Sequence, residues 1–416
     1  MSLHTPRLAL WTIGLGWLLL AACTDEMASV APEREWVDPV YDPPASLIWQ
    51  RPINADTSHF ESTIDPIVTD DRILYVGKSF DPLIAGEAVH CMDHDGESIW
   101  TWDNYSESLR SNRVDAWGMA QQTLVIRAGT NYYGIDLTTG DTRWQQSWPD
   151  AEGDLIAFED AVYQTYRHYD AQVPGAAIFA IDPLTGIQTR VVGQHPPPLC
   201  SVVYSPPALE RGSDGVVRMY YVASSCVAET EGYVRYYAYN FSTGQNDFRI
   251  TGDIPLAHQP HPPLIGEQQV LMRLSTRWDA RDKRTGEPSW TWRFPGGAYD
   301  LMARAVLVDS TLFAIRRYNG YALNARTGEA YWSNEQGEYG NLGARIHPPY
   351  YLGLGPEIYP FDPRTGSHGF YLAPFNQPVG PAMEEAAFRY GATIDPLRAR
   401  LYLSDGYYLM ALDLTR

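Results

Sequence analysis

The sequence predicts an all-β fold, an eight-bladed β-propeller of four-stranded antiparallel blades, on three observations. One short turn phrase recurs at near-regular intervals, the segments around it alternate with a period of two, and the segment starting at Ser46 has the character of a strand that the last repeat lacks.

The turn phrase is a β-rich run ending in Asp or Asn, a turn containing Gly, and an aromatic residue four positions after the Gly. It reads Asp93-His94-Asp95-Gly96 with Trp100, then Asp136-Leu137-Thr138-Thr139-Gly140 with Trp144, then Asp182-Pro183-Leu184-Thr185-Gly186. It returns as Asn240 to Gly244 with Phe248, Asp282 to Gly286 with Trp290, Asn324 to Gly328 with Trp332, and Asp362 to Gly366 with Phe370. An eighth copy, Ala411-Leu412-Asp413-Leu414-Thr415, stops where its Gly belongs. Asp or Asn at the turn entrance can accept backbone amides ahead of it, and Gly supplies the positive φ of a tight hairpin. The aromatic residue opens the outgoing strand with a large apolar surface to bury against the neighbouring sheet. Successive glycines are 44, 46, 58, 42, 42 and 38 residues apart, the length of a four-stranded blade.

The strands between the turns alternate rather than follow a 3.6-residue period, as in Ile73-Leu74-Tyr75-Val76-Gly77, Thr123-Leu124-Val125-Ile126-Arg127 and Arg400-Leu401-Tyr402-Leu403-Ser404, so a helical solenoid is excluded. The 28 Tyr and 13 Trp favour strands, and the 34 Gly and 31 Pro favour many turns. Ser46 to Arg51 is expected to join the last repeat as its fourth strand, with Trp49 in the role of Trp100 and Trp290. That arrangement removes open sheet edges. Eight turn phrases give eight blades, or seven if the longest glycine interval hides an insertion outside the blades.

These residues resemble the PQQ-like repeat family, whose signature after a strand is apolar-Asp-x-x-Thr-Gly-x-x-x-Trp, and the resemblance spans nearly all of residues 46–416. It implies a closed propeller. Within the family, an acylated propeller of this size resembles the BamB-type lipoproteins, which implies a non-catalytic scaffold for envelope protein partners, the outer-membrane β-barrel assembly machinery among them. The quinoprotein dehydrogenases share the repeat, and for them the resemblance would imply an adjacent Cys pair and a Ca²⁺ bound by carboxylates. No two cysteines here are adjacent and no C-x-x-C-H stands in the chain, so no PQQ or other cofactor is expected. The alternative function is a small-ligand or quinone-binding propeller that uses its central channel. A third is a lipoprotein that binds glycans on exposed aromatic rings.

The N-terminus reads as a targeting segment. His4 and Arg7 precede an apolar run from Leu8 to Ala22, too short for a comfortable span of about 20 residues. Leu20-Ala21-Ala22-Cys23 resembles the bacterial lipobox, which implies cleavage before Cys23 and acylation of its thiol. Residues 1–22 are therefore the expected signal peptide, 23–45 an acylated tether of polar, acidic and Pro-containing character, and 46–416 the propeller. Thr24, and not Asp, follows the Cys, which in the sorting scheme the resemblance implies favours the periplasmic face of the outer membrane.

Composition bounds the function further. A formal charge of -19 excludes a nucleic-acid partner, because binding a phosphate backbone needs clustered Lys and Arg. The chain holds no G-x-S-x-G, H-E-x-x-H, P-loop or paired C-x-x-C motif, so no catalytic residue is assigned. Asp93-His94-Asp95-Gly96 has some calcium-loop character without its ligand register or closing Glu.

Cys200 and Cys226 flank the first two strands of what counts as the fifth blade, within the longest interval, where antiparallel neighbours bring the two points side by side. They are expected to form a disulfide closing a loop of about 25 residues, worth roughly 3 kcal/mol in the chain-entropy model. Cys91 lies in a strand with no evident partner. His195, His261 and His347 each precede a run of two or more prolines at the expected start of an innermost strand. They are candidates for a metal or anion site at the channel rim, against the plainer possibility of turn residues ahead of extended Pro segments.

Overall fold

In the computed structural model, the described residues are 46–53, 64–78, 86–105, 113–148, 151–166, 177–192, 202–227, 231–252, 261–274, 277–295, 305–316, 319–334, 343–354, 358–367, 390–404 and 408–415. All of them fall in one compact unit, Pro39–Arg416. They form antiparallel strands and no helix.

The strands group into eight sheets. Strand β1 (Ser46–Pro52) comes first in the chain. Sheet 1 holds β2 (Ile67–Val68), β3 (Ile73–Lys78), β4 (Glu87–Met92) and β5 (Ser98–Trp102), and sheet 2 holds β6 (Ala116–Ala120), β7 (Thr123–Ala128), β8 (Asn131–Asp136) and β9 (Thr142–Ser147). Sheet 3 is β10 (Ala151–Phe158), β11 (Ala161–Tyr166), β12 (Ala177–Ile181) and β13 (Gln188–Val192). Sheet 4 is β14 (Val202–Tyr204), β15 (Ala208–Arg211), β16 (Val217–Val227), β17 (Glu231–Asn240) and β18 (Gln245–Gly252). Sheet 5 is β19 (Leu264–Ile265), β20 (Gln269–Leu274), β21 (Arg277–Asp282) and β22 (Pro288–Arg293), and sheet 6 is β23 (Ala305–Val308), β24 (Thr311–Arg316), β25 (Asn319–Asn324) and β26 (Ala330–Asn334). Sheet 7 shows β27 (Gly343–His347), β28 (Tyr350–Leu354) and β29 (Ile358–Pro360). Sheet 8 is β30 (Tyr390–Asp395), β31 (Arg400–Ser404) and β32 (Tyr408–Asp413), with β1 hydrogen-bonded to β32 from Ser46 opposite Asp413 to Pro52 opposite Tyr408. Apart from β1 in sheet 8 and the branched sheet 4, each sheet is a meander in chain order, and first strands of neighbouring sheets abut, as β6 and β10, β19 and β23, β23 and β27, and β27 and β30 do, the architecture of a propeller.

The expected turn chemistry builds the connection between third and fourth strands. Asp136 Oδ1 accepts the amides of Thr138 and Thr139 at 2.7 and 3.2 Å, and the Gly140 amide closes onto the Asp136 carbonyl at 2.8 Å. Asp182, Asp282 and Asp362 repeat the pattern, with Gly186, Gly286 and Gly366 donating to their carbonyls. A reason beyond the turn explains the glycine. Gly140 sits at φ +78°, and a Cβ there would lie 2.8 Å from the ring of Trp100.

That approach is the clasp between sheets. Four outgoing strands lay an indole ring on the turn glycine of the following sheet and donate its N–H to a carbonyl of the same turn: Trp100 to Leu137, Trp144 to Pro183, Trp290 to Ala325 and Trp332 to Pro363, at 2.7–3.0 Å. Trp49 of β1 does the same to His94 of sheet 1, and Phe248 covers Gly286 without a donor. One buried side chain thus supplies apolar area and satisfies a carbonyl that would otherwise be desolvated.

The core is accordingly a run of clusters between adjacent sheets. Leu124, Ile126 and Tyr133 of sheet 2 pack with Ile73, Val89 and Cys91 of sheet 1 and with Tyr402 and Leu409 of sheet 8. Similar clusters join sheets 2 and 3, 3 and 4, 4 and 5, 5 and 6, and 7 and 8.

The joint between sheets 3 and 4 departs from the pattern. The residue four beyond Gly186 is the exposed Arg190, and Gly244 has no ring upon it. Instead Phe241 meets Tyr163 edge-on at 6.0 Å, and Arg211 grips Glu159 through Nε and Nη2 at 2.8 and 2.9 Å.

Two expectations need correction. The long interval from Gly186 to Gly244 belongs to the fourth sheet along the chain, not the fifth, and its extra residues lengthen the β16–β17 hairpin itself. Strand β16 is long enough to pair with two short strands in tandem, β14 at one end and β15 at the other. Pro206 and Pro207 separate them, since proline has no N–H to give a ladder. Sheet 4 is therefore five-stranded, not four-stranded.

Candidate functional site

The two ends of the sheets differ in chemistry. One end carries the Thr-Gly turns and the hairpins between first and second strands. There His94 Nε2 donates to Thr69 O at 3.0 Å and its Nδ1 accepts from Tyr402 Oη at 2.8 Å, tying sheet 1 to sheet 8. Burial lowers the His94 imidazole below its ordinary value, so the ring is neutral and both its nitrogens are in use.

The other end opens into a cavity of about 580 Å³. Its walls are the entries to the first strands: Asp65 ahead of β2, Asp115 and Trp117 at β6, Asp154 in β10, His261 ahead of β19. Strand β19 is two residues long, so β20 runs past it, and the cross-strand pair Arg273 and Trp278 at the tip of the β20–β21 hairpin also lines the space.

Charge is unevenly spread around this cavity. Arg273 is 3% exposed and stands 5.9 Å over the Phe294 ring. Burial, with the Arg273 charge added, pushes His261 down to about 4, so it is a neutral donor and acceptor at physiological pH. Trp278 is 2% exposed, and its indole N–H has no hydrogen-bond partner. Asp115 and Asp154, which also line the cavity, are exposed carboxylates. Asp65 is committed to Arg345 at 2.5 Å, and Arg345 Nε also donates to Ala392 O, bracing the entry to sheet 1 against sheets 7 and 8.

Of the three histidines singled out by sequence, only His261 lines this cavity. His347 is exposed, closes β27 opposite Tyr350 and touches Pro348 O, because Pro348 and Pro349 form the β27–β28 turn and do not precede a first strand. It lies at the end of its inner strand where His261 lies at the beginning, so the two do not meet. His195 lies outside the described residues, as do Cys23 and Cys200. The backbone of Cys226 is inside β16, opposite Gly232, and not beyond its second strand's end. Among the described residues no three His, Cys, Asp or Glu side chains gather into a metal-binding group. Cys91 is a free, buried thiol that burial pushes up to about 12.

Arg273 and Trp278 were not singled out by sequence. The one available signal was a lone Arg inside the apolar run Val270-Leu271-Met272-Arg273-Leu274, a position where burying a cation requires that it be paired.

The family model for outer membrane protein assembly factor BamB matches residues 40–181 and 208–368. The chain belongs to the BamB family of PQQ-like repeat propellers. No curated protein matches the chain by sequence. Among solved structures, BamB from Moraxella catarrhalis superposes with a TM-score of 0.58 at 14% identity, over 89% of this chain and 99% of that one. The computationally designed Ika8 protein gives 0.58 at 13% identity over 86% and 99%, and Sqt1 of Saccharomyces cerevisiae gives 0.55 at 11% over 85% and 96%. At these identities the likeness concerns fold alone, and the shape is shared well beyond the BamB family. Function has to come from surfaces and sites rather than from the propeller.

Proposed function

We propose that this BamB-family chain is a protein-binding lipoprotein of the bacterial envelope, anchored through Cys23 to the periplasmic face of the outer membrane, which presents its propeller to partners in outer-membrane protein assembly. In this reading it has eight blades, closed into a ring by β1 as the outer strand of the last, and a Cys200–Cys226 disulfide staples the fourth. The observation that carries the reading is the family match across most of the chain. The β1–β32 register and the Trp49 clasp onto sheet 1 support the closure, and the lipobox residues Leu20 to Cys23 support the anchor.

In-cell cross-linking of the full chain, followed by mass spectrometry of captured proteins and small molecules, tests it. Recovery of an outer-membrane β-barrel assembly protein is the expected result. A stoichiometric quinone or metal with no protein partner overturns it and favours the channel-ligand alternative. Labelled fatty acid should enter the wild-type chain and not Cys23→Ser; equal labelling of both removes the anchor.

A further inference from the structure

The cavity among the first strands combines an apolar lining with carboxylates that the fold leaves accessible. Trp117, Ile156 and Leu264 line it half-buried. The carboxylates ride on β6 and β10, which touch so closely that a Cβ on Gly118 would lie 3.2 Å from Leu155 O. Asp115 leads into β6 and is exposed, although one of its oxygens accepts the Gly129 amide at 2.8 Å. Asp154 stands in a β-bulge of β10: residues 152–154 face Thr165 alone, between the pairs Ala151–Tyr166 and Leu155–Gln164, and Gly153 takes φ +89°. Bulges of this kind re-aim a side chain. Asp154 is exposed and has neither a hydrogen bond nor an ion pair among the described residues.

The cations close by are already committed. Arg345 is bonded to Asp65, and Arg273 is 3% exposed and engaged within the protein. His261, pushed down to about 4, adds no charge. The accessible charge of the lining is therefore that of Asp115 and Asp154, which repels anions and draws in cations. A bare metal ion would leave the apolar lining idle, and among the described residues it finds no group of three ligands. We propose that this cavity binds a small organic cation, an amine carried on an apolar or aromatic body, with the body against Trp117, Ile156 and Leu264 and the ammonium at Asp154 and Asp115. An indole favours such a ligand twice, as apolar surface and through its attraction for cations. The volume of about 580 Å³ falls within the range of ordinary ligand sites. This site is separate from the protein-binding reading, and either can fail alone.

The test is calorimetric titration of the full chain, purified in detergent, with phenethylamine, the neutral phenethyl alcohol, the anionic phenylpropionate and methylamine. Phenethylamine is expected to bind, and each of the other three to bind at least about tenfold more weakly, because each lacks either the positive charge or the apolar body. Asp154→Asn, at an exposed side chain with no partner to lose, should weaken phenethylamine about tenfold and leave the alcohol unchanged. Added salt should likewise weaken the amine and not the alcohol. Phenethylamine failing to bind up to about 10 mM overturns the proposal. Equal binding by any of the other three overturns it too, as does an Asp154→Asn titration that matches the wild type.

Discussion

The indole of Trp144 lies flat on Gly186 of the next sheet: a Cβ at that glycine would stand 2.6 Å from the ring, and the ring's N–H reaches the Pro183 carbonyl at 2.7 Å. Even the strand beneath makes room, since a Cβ on Gly134 would meet the Trp144 nitrogen at 2.2 Å. One turn glycine therefore serves a local need, positive φ, and a long-range need, a seat for a neighbour's ring.

These two needs can be separated by mutation. Gly140→Ala should destabilise by about 2–4 kcal/mol, from positive φ and the overlap with Trp100 together. In a Trp100→Leu background only the φ cost, about 1 kcal/mol, should remain. Urea midpoints of the four proteins check this, and strictly additive losses would show that the clasp is not coupled to the turn.

Glu87 governs one pH dependence. Its carboxyl accepts the Val114 amide at 2.7 Å, yet burial pushes it up to about 7 from an ordinary 4.5. Between those values the folded chain keeps a proton that the unfolded chain has released, so stability falls as pH rises through the window. Glu87→Gln keeps an acceptor for Val114 and should gain about 1–2 kcal/mol at pH 8 and almost nothing at pH 4. A gain equal at both pH values would place its cause elsewhere.

His90 acts in the opposite sense. Burial pushes it down to about 4, and its Nε2 donates to Lys78 O at 3.0 Å. The unfolded chain takes up a proton near 6.5 that the folded chain refuses, so stability is lost as pH falls toward 4. Denaturant midpoints of Glu87→Gln, which lacks the opposing slope, should show the acid loss more steeply than wild type.

The His94–Tyr402 bond joins residues 308 positions apart. Tyr402→Phe leaves His94 Nδ1 a buried acceptor without its donor, at a cost of about 1–3 kcal/mol. Amide exchange should quicken in β31 and at the Asp93–Gly96 turn together. Faster exchange confined to β31 would mean that the bond does not couple sheets 8 and 1.

Thiol counting addresses the cysteines. Native alkylation without reductant should label none of the four: Cys23 acylated, Cys200 and Cys226 bonded, and Cys91 shielded by burial. After denaturation one label should appear, and after reduction three. Three labels before reduction would remove the disulfide.

The parts of this fold that repeat were legible because each copy of the phrase corroborates the others. Asp136, Gly140 and Trp144 announce a turn, a φ and a clasp in residue types alone. The candidate cavity was not, since Arg273 and Trp278 are ordinary residues in the sequence until β19 turns out to be two residues long and β20 runs past it, bringing this buried pair to the cavity wall. His261 and His347 looked alike for a related reason: a histidine before two prolines fits both the lead into a strand and the corner leaving one, and only the pairing with Tyr350 tells them apart. The tandem strands on β16 were hidden because their count depends on Pro206 and Pro207 interrupting a ladder that length alone would have assigned to one strand.

The joint between sheets 3 and 4 gives the row of sheets a direction. Six described joints are fastened by a ring seated on a glycine, whereas this one combines a buried cluster that includes Tyr163, Met219 and Tyr237 with an exposed Arg211–Glu159 pair, of the sort worth about 0–1 kcal/mol and weakened by salt. Thermal fluctuation will not be shared evenly around the molecule. Heating in concentrated salt will loosen this seam more than a clasped one, and a nick or new chain ends would be borne more easily here than at a clasped joint.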